Sequence, residues 1–434
     1  MKSKKTGLSR APRKMSRTTM RTTSRLTPGT LPRFWAACAI AFAAPSFAQA
    51  ACTTLFEATV TSGGSTQQIC RNTLESFYQT TIRDVGNLFP GYTENSTVSS
   101  TSRLLGVNTL LDFANGSKTL TLRIPEIGVN QAFTGINRRE SAILLRNYLR
   151  DNPQLYGDLQ RRQVATSPLS PITGTGGVMG QAIMADFGSS FTENATRIAT
   201  SQSNAAQGAQ SVIGAGVLIS SHSVGDANVR SISVPLSYTV RNDIDPRRQA
   251  LVRAGFGELD SAGSKSHQAR LSAGYRFPMS DSWVLTPMLG ASVAGSKDAA
   301  FYVGVFHGSI ASTYTWEFDG FDLTMGNMLG YYQSFSPQGK SFATDPKIRT
   351  TAVVNGLFLS QPVSFGGSKM SMEYGVSDAR LSGTSLYQNN SQEISISLGT
   401  NKSALSARSF LRGTLALQRA KDSKGVSLSV NYWF

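Results

Sequence analysis

The chain ends in Val426-Ser-Leu-Ser-Val-Asn-Tyr-Trp-Phe434, where an apolar residue occupies every second position. Side chains of a β-strand point alternately to its two faces, so the apolar residues share one face, and the serines and the asparagine share the other. The segment therefore predicts a strand with one apolar face and one small polar face. The apolar face consists of Val426, Leu428, Val430, Tyr432 and Phe434.

The same period of two continues upstream as far as Ser211. Each alternating run is about ten residues long, the length of a tilted strand that crosses a membrane. We count twelve runs, and an even number fits an antiparallel ring whose two ends lie on one side. The runs lie near 211–222, 229–241, 249–258, 267–277, 283–294, 303–318, 321–335, 347–360, 368–380, 391–400, 407–419 and 425–434.

A water-soluble β-sandwich also alternates, but its exposed face is usually rich in Lys and Glu. Here the polar face is Ser, Thr, Gly, Ala and Asn. Twelve such strands would leave a sticky surface in water, whereas lipid requires an apolar outer face. Residues 211–434 therefore predict an all-β transmembrane antiparallel barrel of about twelve strands.

Composition and charge exclude several other classes of protein. Hydrophobic residues make up 40% of the 434 residues, and no stretch reaches the roughly 18–20 apolar residues that a spanning helix needs. The formal charge of +16 is misleading, because ten of the 42 basic residues lie in Met1–Arg33 without an acid among them. The remaining chain has 32 basic and 26 acidic residues. We therefore expect no nucleic-acid partner.

The beginning of the chain has the pattern of a secretory signal peptide. A basic segment precedes the apolar stretch Phe34–Ala44, and Ala48-Gln49-Ala50 follows as a small-x-small cleavage site. We expect residues 1–50 to be removed by cleavage between Ala50 and Ala51, after export through the translocon. The basic segment is long, so translation from Met15 or Met20 stays an alternative.

Cys38 leaves with the signal peptide, and Cys52 and Cys70 remain. Two thiols in an exported chain predict one disulfide. Closing such a loop stabilises by roughly 3 kcal/mol in the chain-entropy model. Lipidation of Cys52 is the alternative, but Gln49 stands where a lipoprotein signal has Leu, and Cys70 would be left unpaired.

Residues 51–165 predict a small α+β domain. Apolar residues recur at helical intervals in Gln67–Val85 and again in Asn137–Arg162, whose Arg138-Arg139-Glu140 we interpret as a solvated helix face. Between them, Asn115-Gly116 has the chemistry of a hairpin turn. The Pro/Gly/Ser/Thr-rich stretch 166–178 predicts a linker, and 179–210 a slim polar helix.

The terminal strand resembles the C-terminal signal of Gram-negative outer-membrane proteins, which the barrel-assembly machinery reads. With the leader, the N-terminal domain and the helix, the whole chain resembles an autotransporter of the type V secretion class. The resemblance implies that the helix 179–210 lies in the barrel lumen and that 51–165 is displayed at the cell surface, with outer-membrane lipid around the barrel. The ligand of that domain stays unknown.

The chain departs from this family in three respects. The N-terminal domain is short, it lacks the Gly/Asn/Thr repeats of a β-helical passenger, and the helix has no paired Asn for self-cleavage. An outer-membrane barrel or pore with a periplasmic N-terminal domain is therefore the alternative. Deleting 179–210 is expected to raise the conductance in planar bilayers if the helix plugs the lumen.

Catalytic chemistry has little support in this sequence. Only three histidines occur, and we expect neither a metal site nor a cofactor. His307-Gly308-Ser309 resembles the His-x-Ser pair of outer-membrane lipid hydrolases, in which the imidazole activates the hydroxyl. The apolar residues of this strand assign His307 and Ser309 to the lumen, where lipid does not reach. We therefore expect no enzyme, and loss of any esterase signal on Ser309→Ala would contradict that expectation.

Charged residues inside the predicted strands should face water or a charged partner rather than lipid. They are candidates for a network that grips the helix, or else for a pore lining. These residues are Arg253, Glu258, Arg270, Glu373 and Arg412.

Overall fold

A computed structural model describes residues 52–191, 211–242, 244–245, 247–338, 342–400 and 410–434. The expected signal peptide 1–50 and its cleavage site between Ala50 and Ala51 lie outside the described residues, as does the second half of the predicted helix, 192–210. None of the described helices is long and apolar enough to cross a membrane.

The N-terminal region forms an antiparallel six-stranded sheet in the order β2-β1-β3-β4-β5-β6. Residues with buried side chains alternate along most of its strands, and the region has three α-helices. The strands are β1 (Phe56–Ser62), β2 (Ser65–Arg71), β3 (Val98–Leu104), β4 (Val107–Phe113), β5 (Thr119–Ile124) and β6 (Val129–Thr134). The helices are α1 (Leu74–Tyr78), α2 (Arg138–Asp151) and α3 (Pro153–Thr166).

The segment 67–85 differs from the helix that its periodicity predicts. Its first residues belong to β2, which pairs with β1 across the Gly63-Gly64 turn. Thr73 then caps α1, because its Oγ1 accepts a hydrogen bond from the Ser76 backbone N at 3.1 Å. Pairing in the sheet therefore overrides the helical pattern of the first third. A disulfide joins Cys52 and Cys70, with their Cα atoms 5.6 Å apart.

Arg138 was wrongly interpreted as part of a solvated helix face. Its side chain is buried under the first turn of α2, and only 3% of the residue is exposed. The guanidinium donates hydrogen bonds to three oxygens and lies 4.8 Å from the centre of the Phe113 ring. The acceptors are Ser117 O at 2.9 Å, Ala114 O at 3.1 Å and Tyr92 Oη at 3.2 Å. Arg139 is exposed.

The C-terminal region is a closed barrel of twelve antiparallel strands, which confirms the predicted fold class. The last strand pairs with the first, with Val430 opposite Val217, so the ring has no free edge. The strands are β7 (Ser211–Val224), β8 (Ala227–Arg241), β9 (Gln249–Ser261), β10 (Ser264–Pro278), β11 (Trp283–Ser296), β12 (Phe301–Phe318), β13 (Phe321–Phe335), β14 (Arg349–Phe365), β15 (Ser368–Gly383), β16 (Asn390–Thr400), β17 (Phe410–Ala420) and β18 (Ser423–Trp433).

The outer surface of the barrel is apolar, as lipid requires. On β18, Leu428 and Val430 are 54% and 48% exposed, and Phe434 directly after it is 53% exposed, whereas Ser427 on the same strand is buried. Polar side chains point into the lumen on the neighbouring strands as well. Without a membrane this exposed apolar band would be unfavourable, so the barrel requires a lipid environment.

The two mouths of the barrel are different. Ser211 and Phe434 lie at one mouth, which we call the C-terminal mouth, and the backbone of Ile213 hydrogen bonds to that of Phe434. The other mouth carries the strand connections 225–226, 262–263, 297–300, 336–348, 384–389 and 421–422. We call it the domain mouth, because the N-terminal sheet domain contacts it.

The fourth helix, α4 (Val178–Phe191), lies inside the lumen. It packs against β11, β12 and β13, and most of its side chains are buried. It covers the first part of the predicted helix 179–210 and begins one residue earlier. The preceding turns 167–177 lie at the domain mouth, where Ser261 Oγ donates a hydrogen bond to Leu169 O at 3.0 Å.

We predict that Arg138→Ala lowers the free energy of unfolding of the N-terminal domain by about 3 kcal/mol, because hydrogen bonds to charged groups contribute about 1.5–3 kcal/mol each and are not additive. Arg139→Ala removes the same side chain from an exposed neighbouring position and should change little. Pulse proteolysis of the full-length protein in urea and detergent measures both values. Equal effects of the two substitutions would contradict the buried role of Arg138.

Candidate functional site

The candidate site is the contact between α4 and the wall of the lumen. Its apolar part is formed by Phe187 and Phe191, whose ring centroids are 5.0 Å apart. Gly326 makes room for them, because a Cβ there would lie 2.4 Å from the Phe191 ring. Gly356 does the same for Phe187. The wall of the lumen is therefore shaped to the helix.

Asp186 of α4 is the centre of the polar contacts. Its Oδ2 is 2.9 Å from His307 Nδ1 and accepts hydrogen bonds from Tyr332 Oη at 2.9 Å and Ser309 Oγ at 3.2 Å. His307 and Ser309 lie on β12 and Tyr332 on β13. Asp186, His307 and Tyr332 are each at most 5% exposed. A buried carboxylate needs such donors, so the three side chains hold this point of the helix against the wall.

Three arginines on β9 and β10 hold the helix through its backbone. Arg253 Nη2 on β9 and Arg276 Nη2 on β10 donate to Ser189 O at 3.4 and 3.1 Å. Arg270 Nη1 on β10 donates to Gln181 O at 3.1 Å. Carbonyl groups near the C-terminal end of a helix carry partial negative charge and favour nearby cations. The helix is therefore gripped from β9 and β10 as well as from β12 and β13.

The charges that were expected to avoid lipid are arranged in three ways. Glu373 and Arg412 form an ion pair inside the lumen, with Oε1 and Nη2 2.7 Å apart and both side chains at most 1% exposed. Arg253 and Arg270 face the helix. Glu258 instead faces outward near the domain mouth, where Lys265 Nζ lies 2.9 Å from its carboxylate.

The His307 and Ser309 side chains lie together but do not form a nucleophile and base pair. A catalytic hydroxyl donates its hydrogen bond to the imidazole. Here the Ser309 hydroxyl donates to Asp186, and the imidazole contacts the same carboxylate oxygen. Among the described residues, His307 Nε2 has no hydrogen-bond partner. The arrangement is suited to holding a helix, and both groups are enclosed by it.

Sequence reasoning missed Asp186, Tyr332 and Arg276. One signal was present for Asp186, because it is the single charged residue between Thr166 and Phe191. A lone acid in a helix of Ala, Ser, Gly and Met has to be satisfied by a partner elsewhere. Nothing local marks Tyr332, since its position on the inner face follows only from the strand register.

The N-terminal domain contacts the domain mouth through buried hydrogen bonds. The Tyr156 hydroxyl donates to Ala299 O, and burial raises the pKa of this phenol. Thr344 Oγ1 donates to Gln160 Oε1 at 2.6 Å, and the Leu74 backbone N donates to Asp298 O at 2.7 Å.

The turns before α4 add to this contact. Thr175 Oγ1 lies 3.1 Å from Gln388 Oε1 and 2.9 Å from Ser423 Oγ. Next to them, the hydrogen bond that Tyr387 donates to Asp422 raises the pKa of Tyr387. The domain, the turns and the helix therefore make one continuous set of contacts with the barrel, from the domain mouth into the lumen.

No group of three His, Cys, Asp or Glu side chains suited to a metal ion occurs in the described ranges. Many of the polar groups of the lumen are instead paired with the helix or with each other. Carboxylate, imidazole, phenol and guanidinium groups in this arrangement can hold a peptide segment by hydrogen bonds.

Comparison with known proteins gives matches of fold only. No protein-family model matches the chain, and no curated protein sequence matches it. The translocator domain of autotransporter NalP from Neisseria meningitidis is 15% identical, with a TM-score of 0.43, over 59% of this chain and 97% of that domain. The beta domain of the Bordetella autotransporter BrkA is 9% identical, with a TM-score of 0.40, over 52% and 99%.

A channel matches about as well as the translocators. An outer membrane channel from Pseudomonas putida F1 is 12% identical, with a TM-score of 0.39, over 52% of this chain and 96% of the channel. These values do not separate a translocator from a channel. The chain itself forms a closed ring of twelve antiparallel strands with a helix inside, which is the architecture of an outer-membrane β-barrel.

We predict that Asp186→Ala loosens the luminal helix by about 2–4 kcal/mol, because three hydrogen bonds to one buried charge are lost together. Amide hydrogen exchange of residues 178–191 in the detergent-solubilised protein should become faster, and the conductance in planar bilayers should rise. Asp319→Ala, at the exposed turn between β12 and β13, is the matched control. Unchanged exchange in Asp186→Ala would show that the cluster does not hold the helix.

Proposed function

We propose that this protein is an outer-membrane barrel that displays its N-terminal domain at the cell surface and holds the domain through α4. The proposal rests on one observation, that the N-terminal domain and the two ends of the barrel lie at different mouths. The domain contacts one mouth, whereas the barrel begins at Ser211 and ends at Phe434 on the other. Helix α4 lies in the lumen between them, as a segment that connects the two sides must.

In this proposal the domain mouth faces outward, and the aromatic C-terminus faces the periplasm.

The mechanism is anchoring without turnover. The apolar outer face holds the barrel in lipid, and the Asp186 cluster and the three arginines hold α4 in the lumen. The hydrogen bonds of Tyr156 and Gln160 hold the domain against the mouth. Because these contacts continue from the domain into the lumen, the domain stays attached to the barrel while it is presented to the outside.

Two glycine turns provide a matched test of this orientation. Gly63-Gly64 joins β1 to β2 in the domain, and Gly366-Gly367 joins β14 to β15 at the C-terminal mouth. Their backbones have nearly the same conformation, with φ of 56° and 78° in the first turn and 57° and 79° in the second. A Cβ at any of the four glycines would meet nothing within 4 Å, so both turns have room for an insertion.

We predict that a protease-sensitive epitope tag inserted at Gly63-Gly64 is lost when protease is added to intact cells, whereas the same tag at Gly366-Gly367 is protected until the outer membrane is permeabilised. A periplasmic marker protein reports that the membrane is sealed. The reverse result would place the domain in the periplasm and would support a pore or general barrel with a periplasmic domain.

A further inference from the structure

A second feature of the lumen takes no part in the grip on Asp186. A small, partly open cavity, with a volume of about 20 Å³ for the centres of water-sized molecules, lies between the first turns of α4 and the wall formed by β8 to β11. Polar side chains from four elements surround it, and it is distinct from the aromatic contacts at the other end of the helix. These side chains are Gln181, Ser233, Gln268, Arg270 and Ser292.

The cavity exists because β9 presents glycines where its neighbours present side chains. Gly255 and Gly257 line it from this strand. A Cβ on Gly255 would lie 3.0 Å from Arg270 Nη2 and 3.5 Å from its Cζ. The guanidinium therefore packs against the backbone at Gly255, and a larger residue there would require the guanidinium to shift by a few tenths of an ångström.

The charge of Arg270 is not neutralised by a direct partner. Its one hydrogen bond among the described residues goes to a backbone carbonyl, Gln181 O, and no ion pair among those residues includes it. The acid that lies nearest in this network is Asp186, whose Oδ2 is already occupied by three other side chains. A guanidinium has five N–H donors, so most of its hydrogen-bonding capacity remains for a ligand.

Ser292 supplies an independent indication of a ligand. It lies directly opposite Arg270 in the pairing of β10 with β11 and is only 2% exposed. In the described part of the chain, its hydroxyl has no hydrogen-bond partner. A buried hydroxyl without a partner is unfavourable by about 1–3 kcal/mol, which an acceptor in the cavity would recover.

We propose that this cavity binds a small oxyanion, with Arg270 as its cationic partner and Ser292 as a further donor. A planar guanidinium matches the two oxygens of a carboxylate or phosphate group, and a hydroxyl at its side can donate to a third oxygen. Such an ion would sit beside the first half of α4 and help to hold it. The inference concerns the lumen alone and does not depend on which mouth faces outward.

Isothermal titration of inorganic phosphate into the full-length protein in detergent tests this site. The wild type should give saturable heat with one site per chain, and Arg270→Gln should weaken binding by about tenfold or more, since a hydrogen bond to a charged group is removed. Arg419→Gln makes the same charge change at an exposed position of β17 and should bind like the wild type.

Ser292→Ala guards against misfolding of the arginine variant, because it removes one hydroxyl oxygen and leaves the charge in place. It should weaken phosphate binding several-fold without changing the temperature at which the barrel unfolds in a gel-shift assay. Absence of saturable heat in the wild type would overturn the proposal. So would equal affinities of the wild type, Arg270→Gln and Ser292→Ala.

Discussion

The pairing of β18 with β7 is the constraint on which the rest of this structure depends. In lipid, every backbone N–H and C=O group must find a partner within the protein, and only a closed ring of strands meets that requirement without helices. Closure obliges each strand to have one face in lipid and one in the lumen. The side chains therefore alternate along the chain, with Val430 outside and Ser427 and Ser429 inside.

Closure also creates the space in which α4 lies. A barrel of eight strands is filled by its own side chains, and a wider ring is not. Small inward residues, such as Gly326 and Gly356, widen the lumen further where the aromatic residues of the helix lie. A helix placed there faces hydroxyl, guanidinium and carboxylate groups as well as these glycines, so it needs both polar and apolar side chains. Helix α4 accordingly combines Asp186 and its serines with Phe187 and Phe191.

Features that depend on neighbouring residues in the sequence could be predicted, and features that depend on contacts between distant residues could not. Alternation is local, and it predicted the twelve strands and the apolar face of β18 from the residues alone. Helical periodicity is local too, but it was misleading in 67–85, where pairing with β1 decides the structure of the first residues.

Burial of Arg138 and the contacts of Asp186 depend on residues far away in the sequence. His307 and Tyr332 reach Asp186 only because the register of β12 and β13 places them side by side on the inner face. No local pattern contains that register. The pair His307 and Ser309 was recognised as belonging to the lumen, but its partner on the helix was not.

The Asp186 cluster also explains how α4 acquires one position in the lumen. The small residues along the helix would by themselves tolerate sliding, because they make few specific contacts. A shift by one helical turn, about 5.4 Å, would carry the carboxylate away from His307, Ser309 and Tyr332 and leave it buried without donors. An uncompensated buried charge is unfavourable by several kcal/mol. The acid, together with Phe191 and Phe187 against Gly326 and Gly356, therefore sets the depth of the helix and with it the position of the domain at the mouth.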